Sequence, residues 1–245
     1  MTRFGINLNP FVLFINQFKI RSFTAQHLAL TAELEQVDAL SLFYDQSEEM
    51  IALDSLKHLS NSACRFLNVQ TSIGNDYFRD LIDVKPNMIS FTGPFNSSNF
   101  KCEASDITEQ DEFINDAVHT IKSNEIMAAI LIEPDIKLVK QIAKFPFDYV
   151  EFDLTKLNTA HDLNHELEEL ENLKMAVLAA EKYGMGIQAS GYVNSDNIEH
   201  LNQFPQIEEV YSGRHLFERS LVIGFRSVIA EYRSLFKSHH VELKA

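Results

Sequence analysis

The chain has 245 residues, 45% of them apolar, which is enough for one sizeable core and lies within the span of a single α/β barrel. Its 35 acidic residues outnumber the 21 basic ones, so the long-range field disfavours nucleic acid and anionic membrane surfaces as partners. An anionic metabolite held by local backbone N–H groups stays open, while Cys64 and Cys102, far apart and without CxxC or CxxH spacing, exclude a disulfide framework or thiolate metal site and point to a reducing cytoplasm.

The N-terminal MTRFGINLNPFVLF carries no basic stretch followed by a small-residue cleavage site, and no apolar run nears the ~20 residues of a bilayer span. It reads as the first strand, Phe4–Leu8, of a cytoplasmic domain. Ala25, Leu28, Ala29 and Ala32 recur at helical spacing and predict an amphipathic helix. Strands follow at Ala39–Tyr44 and Phe66–Gln70, and Asn75 is placed to cap the next helix. After a strand at Met88–Thr92 comes the one long irregular stretch, Gly93–Asp106, which in a barrel lies at the C-terminal mouth where substrate loops gather. Thr108 with Asp111 opens a helix whose apolar stripe is Phe113, Ile114, Ala117, Val118 and Ile121. The remaining strands are Met127–Ile132, with Pro134 suited to the first helical turn after it, Tyr149–Asp153, Gly186–Ala189 and Glu208–Tyr211.

Eight strand-plus-helix units without a low-complexity linker predict one α/β domain, a (β/α)8 TIM barrel over residues 1–245 with 237–245 as a frayed tail. An open doubly wound sheet is disfavoured, because Leu8-Asn9-Pro10-Phe11 stands where a Gly-rich phosphate loop would follow the first strand.

Gly5-Ile6-Asn7-Leu8-Asn9 resembles the G-V-N-I-D-H opening strand of the pyridoxine 5'-phosphate synthase family. Asn68-Val69-Gln70 is similar to that family's N-L-E, Lys85-Pro86 to its K-P, and Ile130-Leu131-Ile132-Glu133-Pro134-Asp135 to its L-F-I-D-x-D. Tyr149-Val150-Glu151-Phe152 matches F-I-E-I, Ala189-Ser190-Gly191 the A-G-H turn, and Ser212-Gly213-Arg214 the I-G-H phosphate loop. The matches run collinearly over nearly the whole chain. The resemblance implies a barrel that condenses 1-deoxyxylulose 5-phosphate with 3-amino-2-oxopropyl phosphate, a reaction needing several proton transfers. The family's two histidines and one glutamate fall on Phe43, Gly191 and Gln70, none of which exchanges a proton near neutral pH. Its basic H-L-R-E-D-R-R-H stretch becomes Phe43-Tyr44-Asp45-Gln46-Ser47-Glu48-Glu49-Met50.

The expectation is therefore a divergent synthase-like barrel that has lost ring closure and binds or regulates. Glu151 is the remaining catalytic candidate, and Asn7, Gln70, Ser190, Gly191, Gly213 and Arg214 are the candidate substrate and phosphate contacts. Glu218 opposes phosphate by placing a carboxylate in the helix beyond Gly213. A phosphorylated small molecule is the expected partner, self-association is implied by the resemblance alone, and no cofactor or metal is expected. Two alternatives stay open. In one, an active enzyme, either the synthase or a new barrel chemistry, uses Glu151 and Asp153, which share strand parity, with Asp45 completing a site for a hard cation. In the other, Phe43, Tyr44 and neighbouring aromatics plug the mouth and an outer surface serves a partner. His161 and His165, spaced like a helical zinc motif but followed by a run of glutamates, read as a solvated surface, and His239-His240 as tail.

Overall fold

The structure, a computed structural model, describes residues 2–47, 50–62, 66–107, 111–201 and 203–238. Cys64, Glu48, Glu49, Thr108 and His239-His240 lie outside them.

Eight parallel strands close on themselves: β1 (Arg3–Asn7), β2 (Ala39–Phe43), β3 (Leu67–Ser72), β4 (Met88–Thr92), β7 (Met127–Ile132), β8 (Tyr149–Asp153), β9 (Gly186–Ser190) and β10 (Ile207–Ser212). Sequence neighbours pair around the ring and β10 returns to β1, with Gly5 opposite Tyr211. The irregular stretch after β4 folds into a small antiparallel hairpin of its own, β5 (Phe95–Asn96) and β6 (Lys101–Cys102).

Outside the barrel run α1 (Asn9–Gln17), α2 (Ala25–Leu34), α3 (Leu53–Asn61), α4 (Tyr77–Ile82), α5 (Asp111–Ser123) and α6 (Ile136–Ile142). They are followed by α7 (Thr155–Asn158), α8 (Leu163–Lys182), α9 (Ile198–Leu201), α10 (Arg214–Ile223) and α11 (Phe225–Ser238). None of the described helices is long and apolar enough to cross a membrane. The α2 stripe of Ala25, Leu28, Ala29 and Ala32 and the α5 stripe of Ile114, Ala117, Val118 and Ile121 are buried in the layer between helices and strands, as their spacing requires. Asn75 does serve α4, its Oδ1 accepting from Tyr77 N at 3.2 Å from one position outside the N-cap. Pro134 lies before the N-cap of α6 rather than in its first turn, because Asp135 makes the start, accepting from Lys137 N at 2.7 Å.

Strand pairing determines what the pore holds. Gly5 and Asn7, Ser41 and Phe43, Asn68 and Gln70, Ala129 and Leu131, Glu151 and Asp153, Gln188 and Ser190 stand in register around the ring on its inner face. The alternate residues, Ile6, Leu40, Val69, Ile89, Ile130, Val150, Ile187 and Val210, pack outward against the helices. In β10 a register shift between Ile207 and Glu209 lets Ile207 face the helices while Glu209 turns into the pore. The pore is thus mostly polar, unlike the branched apolar layers usual in such barrels. Ser90 Oγ donates to Asn68 Oδ1 at 2.7 Å, and Gln188 Nε2 to Glu209 Oε1 at 2.8 Å. Arg3 Nε lies 3.2 Å from the other Glu209 oxygen and closes the N-terminal end of the pore. Gly5 is required beside Tyr211, since a Cβ there would sit 2.5 Å from two ring carbons.

Candidate functional site at the barrel mouth

Strand parity brings Glu151 and Asp153 to the pore side of β8, one above the other. Glu151 is fully buried and neither of its oxygens meets hydrogen-bond geometry with a neighbour. Burial pushes its carboxyl up to about 7; the Ser190 hydroxyl and Gln70 amide offset part of the rise, and the charges of Asp153 and Glu209 add to it. Asp153, one step nearer the mouth, has a cation of its own. Lys101 Nζ lies 2.6 Å from its Oδ2 and donates at 2.8 Å to Thr155 Oγ1, while Asp153 Oδ1 accepts from Thr155 N at 3.0 Å.

Above these carboxylates Asn7, Gln70, Ser190, Gly191, Gly213 and Arg214 converge on one cleft, together with Lys101, Asp153, Tyr192 and Tyr211. All six candidate contacts are therefore neighbours. The cleft encloses only about 40 Å³, whereas pockets for metabolites or drug-sized ligands usually run to roughly 300–1,000 Å³. Gln70 is occupied internally: its Oε1 accepts from Asn7 Nδ2 at 3.4 Å, Asn9 Nδ2 at 3.3 Å and the Cys102 thiol at 3.5 Å. Arg214 is tethered as well, by Glu218 at 2.8 Å and by the Tyr192 hydroxyl at 2.7 Å, with its guanidinium over the Tyr192 ring. Glu218 thus lies where it competes with any anion for Arg214. At the N-terminus of α10, Gly213 is the N-cap, no side chain caps the helix and its first turn holds no acid.

Gly191 cannot carry an imidazole in this backbone. Its φ is +95°, and a Cβ would lie 2.3 Å from Asp153 Oδ1. Phe43, in the other histidine position, is buried and stacks on Phe95 of the hairpin with ring centroids 5.5 Å apart. With Met50, Cys102 and Leu131 they form an apolar cluster separate from the main core. Tyr44 does not join this plug, because its hydroxyl turns outward to Asp80 at 3.0 Å.

Beyond Met50 lies a second, roomier cleft of about 770 Å³, lined by residues of α1 and α2, by Asp80 and by the segment after β2 that includes Tyr44 and Asp45. Asp45 belongs to that cleft and not to Glu151 and Asp153. No group of three metal-binding side chains occurs among the described residues, so the trio expected to hold a hard cation is not assembled. His161 precedes the N-cap of α8, Asp162, and only His165 is helical, so the zinc-like spacing does not form a helical face.

Sequence reasoning missed Lys101, Tyr192 and Glu209. Lys101 sits in the stretch treated as irregular, although Asn96-Ser97-Ser98-Asn99 is turn chemistry between two short strands. Glu209 required the β10 bulge, which has no signature in the sequence.

A closed parallel barrel with polar groups gathered at the C-terminal ends of its strands defines a TIM-barrel protein. Solved structures with this fold include phosphoribosyl anthranilate isomerase from Thermococcus kodakaraensis, with TM-score 0.62, 12% identity, and 97% of this chain and 99% of that one covered. Thiamine phosphate pyrophosphorylase from Pyrococcus furiosus matches with TM-score 0.58 and 12% identity over 97% and 96% of the two chains. Residues 4–238 match the family model of the pyridoxal phosphate biosynthesis protein PdxJ, and the chain belongs to that family. It is 26% identical over 210 residues to the pyridoxine 5'-phosphate synthase of Geotalea uraniireducens, covering 85% of this chain and 87% of that protein. The synthase of Prochlorococcus marinus is 22% identical over 240 residues, with 97% and 96% covered.

Proposed function

We propose that this PdxJ-family barrel has lost the ring-closing condensation of 1-deoxyxylulose 5-phosphate with 3-amino-2-oxopropyl phosphate and serves as a binding or regulatory protein for a phosphorylated small molecule. The observation that carries this reading is the chemistry at the mouth: Phe43 is packed into an apolar plug, Gly191 has no room for a side chain, and Gln70 is held by three internal donors. Loss of one acid–base group costs roughly 10²–10⁴ in rate, and three that act together leave little beyond proximity. The anion subsite of this reading is the uncapped start of α10 at Gly213, with Ser190 and Arg214 beside it and Asn7 under the glycine, where a Cβ would come within 3.1 Å of the Asn7 Cβ. Incubating the purified protein with both family substrates and following pyridoxine 5'-phosphate tests the first half; turnover at an ordinary enzymic rate overturns it. Calorimetry with 1-deoxyxylulose 5-phosphate and with inorganic phosphate tests the second half, and binding unchanged by Arg214→Ala would move the anion elsewhere.

One observation favours an active enzyme as the second reading. Glu151, raised to about 7 beside Asp153, has the proton affinity a general acid or base needs at neutral pH. That reading expects turnover abolished by Glu151→Gln.

A further inference from the structure

The cleft of about 770 Å³ beside α1 and the start of α2 combines two chemistries in its lining. Val12, Ile15, Met50 and Ile51 make part of it apolar, and Asn16 ties α1 to this part by donating from Nδ2 to the Met50 carbonyl at 3.0 Å. Asp45 and Asp80 add two carboxylates, each held by neutral donors. Asp80 Oδ2 accepts from the Tyr44 hydroxyl at 3.0 Å and from Gln46 Nε2 at 3.2 Å, while Asp45 Oδ1 accepts from Ser47 N at 2.9 Å. Burial pushes the Tyr44 hydroxyl up to about 12 and its bond to Asp80 adds to the rise, so Tyr44 keeps the proton it donates. Asp153, Glu209 and Glu218 each have a lysine or arginine within 3.2 Å. Asp45 and Asp80 have none among the described residues. Even Arg79, next to Asp80 in the chain, turns to Asp76 at 3.3 Å and Asp116 at 2.8 Å.

We propose that this cleft binds a linear aliphatic di- or polyamine, its ammonium groups on Asp45 and Asp80 and its methylene chain along the apolar lining. A carboxylate fixed by neutral donors keeps its full charge, and a bond from an ammonium to it is about twice as strong as one between neutral groups. Methylene groups laid on Val12, Ile15 and Met50 leave water and add about 0.8 kcal/mol each when fully buried. An anion gains neither term, since the described lining has no lysine or arginine. A bare metal ion fits poorly as well: no group of three metal-binding side chains occurs among the described residues, and an inorganic cation makes no use of the apolar lining. The volume lies within the roughly 300–1,000 Å³ of metabolite pockets. The net charge of −14 favours encounter with any cation, and the cleft adds room and apolar contact that the open surface lacks. The site is apart from the barrel mouth and does not rest on the phosphate-ligand reading.

Calorimetric titration of the full-length protein with spermidine tests the site, with a diol of similar length as the uncharged counterpart. Spermidine is expected to bind one site with a Kd of about 1 mM or tighter, and the diol to give no binding. Asp45→Asn and Asp80→Asn should each weaken spermidine binding about tenfold. Gln26→Trp, which fills part of the cleft and leaves the net charge unchanged, should weaken it about tenfold as well. Glu171→Gln removes one carboxylate from α8, outside the cleft, and should leave binding as it was. Absence of spermidine binding overturns the proposal. So does equal weakening in Asp45→Asn and Glu171→Gln, or indifference to Gln26→Trp, either of which reduces the effect to counter-ion attraction by an acidic surface. Thermal midpoints are measured alongside; should Asp80→Asn fail to fold for want of the Tyr44 bond, Asp45→Asn, which holds only the exposed Ser47, and Gln26→Trp decide the matter. Spermidine carries no phosphate, so the outcome is separate from that of the phosphate-ligand reading.

Discussion

Replacing Glu151 by glutamine removes one titration from the centre of the pore while keeping the shape of the side chain. The folded protein holds the Glu151 proton up to about pH 7, whereas the unfolded chain releases it near the ordinary value of 4.5. Between those values the folded state binds more protons than the unfolded one, so stability is highest below the window and falls as pH rises through it, by about 1.4 kcal/mol per pH unit. Across the whole window the loss is about 3 kcal/mol. The glutamine variant lacks this slope. Its own burial shifts the absolute stability by an amount that does not depend on pH, so the informative quantity is the difference between the two proteins as a function of pH. That difference should move in favour of Glu151→Gln by about 3 kcal/mol from pH 4.5 to pH 8. At about 2–4 °C per kcal/mol for a chain of this size, the relative melting temperature moves by roughly 6–12 °C. Urea unfolding followed by circular dichroism at half-unit pH steps reads it, and titrations common to both proteins cancel. A difference that stays flat over this range refutes the claim that Glu151 is buried with its proton retained.

Gly191→His restores the family's imidazole but places a side chain at a φ of +95° against Asp153; it should cost about 1–3 kcal/mol in urea unfolding and yield no pyridoxine 5'-phosphate. Gly5→Ala drives a methyl group into the Tyr211 ring and should cost about 1–3 kcal/mol by the same assay, with secondary structure unchanged. Glu218→Gln releases Arg214 from its carboxylate partner and should tighten inorganic phosphate binding about two- to fivefold by calorimetry, the gain shrinking at high salt.

Strand positions were legible because each barrel strand is a short apolar run with its own flanking signals: Met88–Thr92, Met127–Ile132 and Tyr149–Asp153 have the bounds that the sequence predicts. The shared face of Glu151 and Asp153 followed from the two-residue period of a strand. What one residue's neighbours are across the pore depends on closure and register, and these were not legible. Gln70 reads as an isolated amide in the sequence, yet three donors from β1, α1 and the hairpin meet on its oxygen. Lys101 was hidden for the same reason: its partner Asp153 is 52 residues away, and the turn that aims it is only a few polar residues long. The resemblance located the substituted positions, but the backbone at Gly191 shows that the change there involves the surrounding chain as well as the side chain.

Met50 belongs both to the apolar plug around Phe43 and to the wall of the roomier cleft. On one side lies a cramped compartment where Lys101 and Arg214 are each neutralised by a carboxylate; on the other is the spacious one, whose described lining offers Asp45 and Asp80 and neither lysine nor arginine. The cleft with room for a sugar phosphate therefore offers it no cation among its described lining residues. Space and positive charge therefore stand in different clefts of the same barrel.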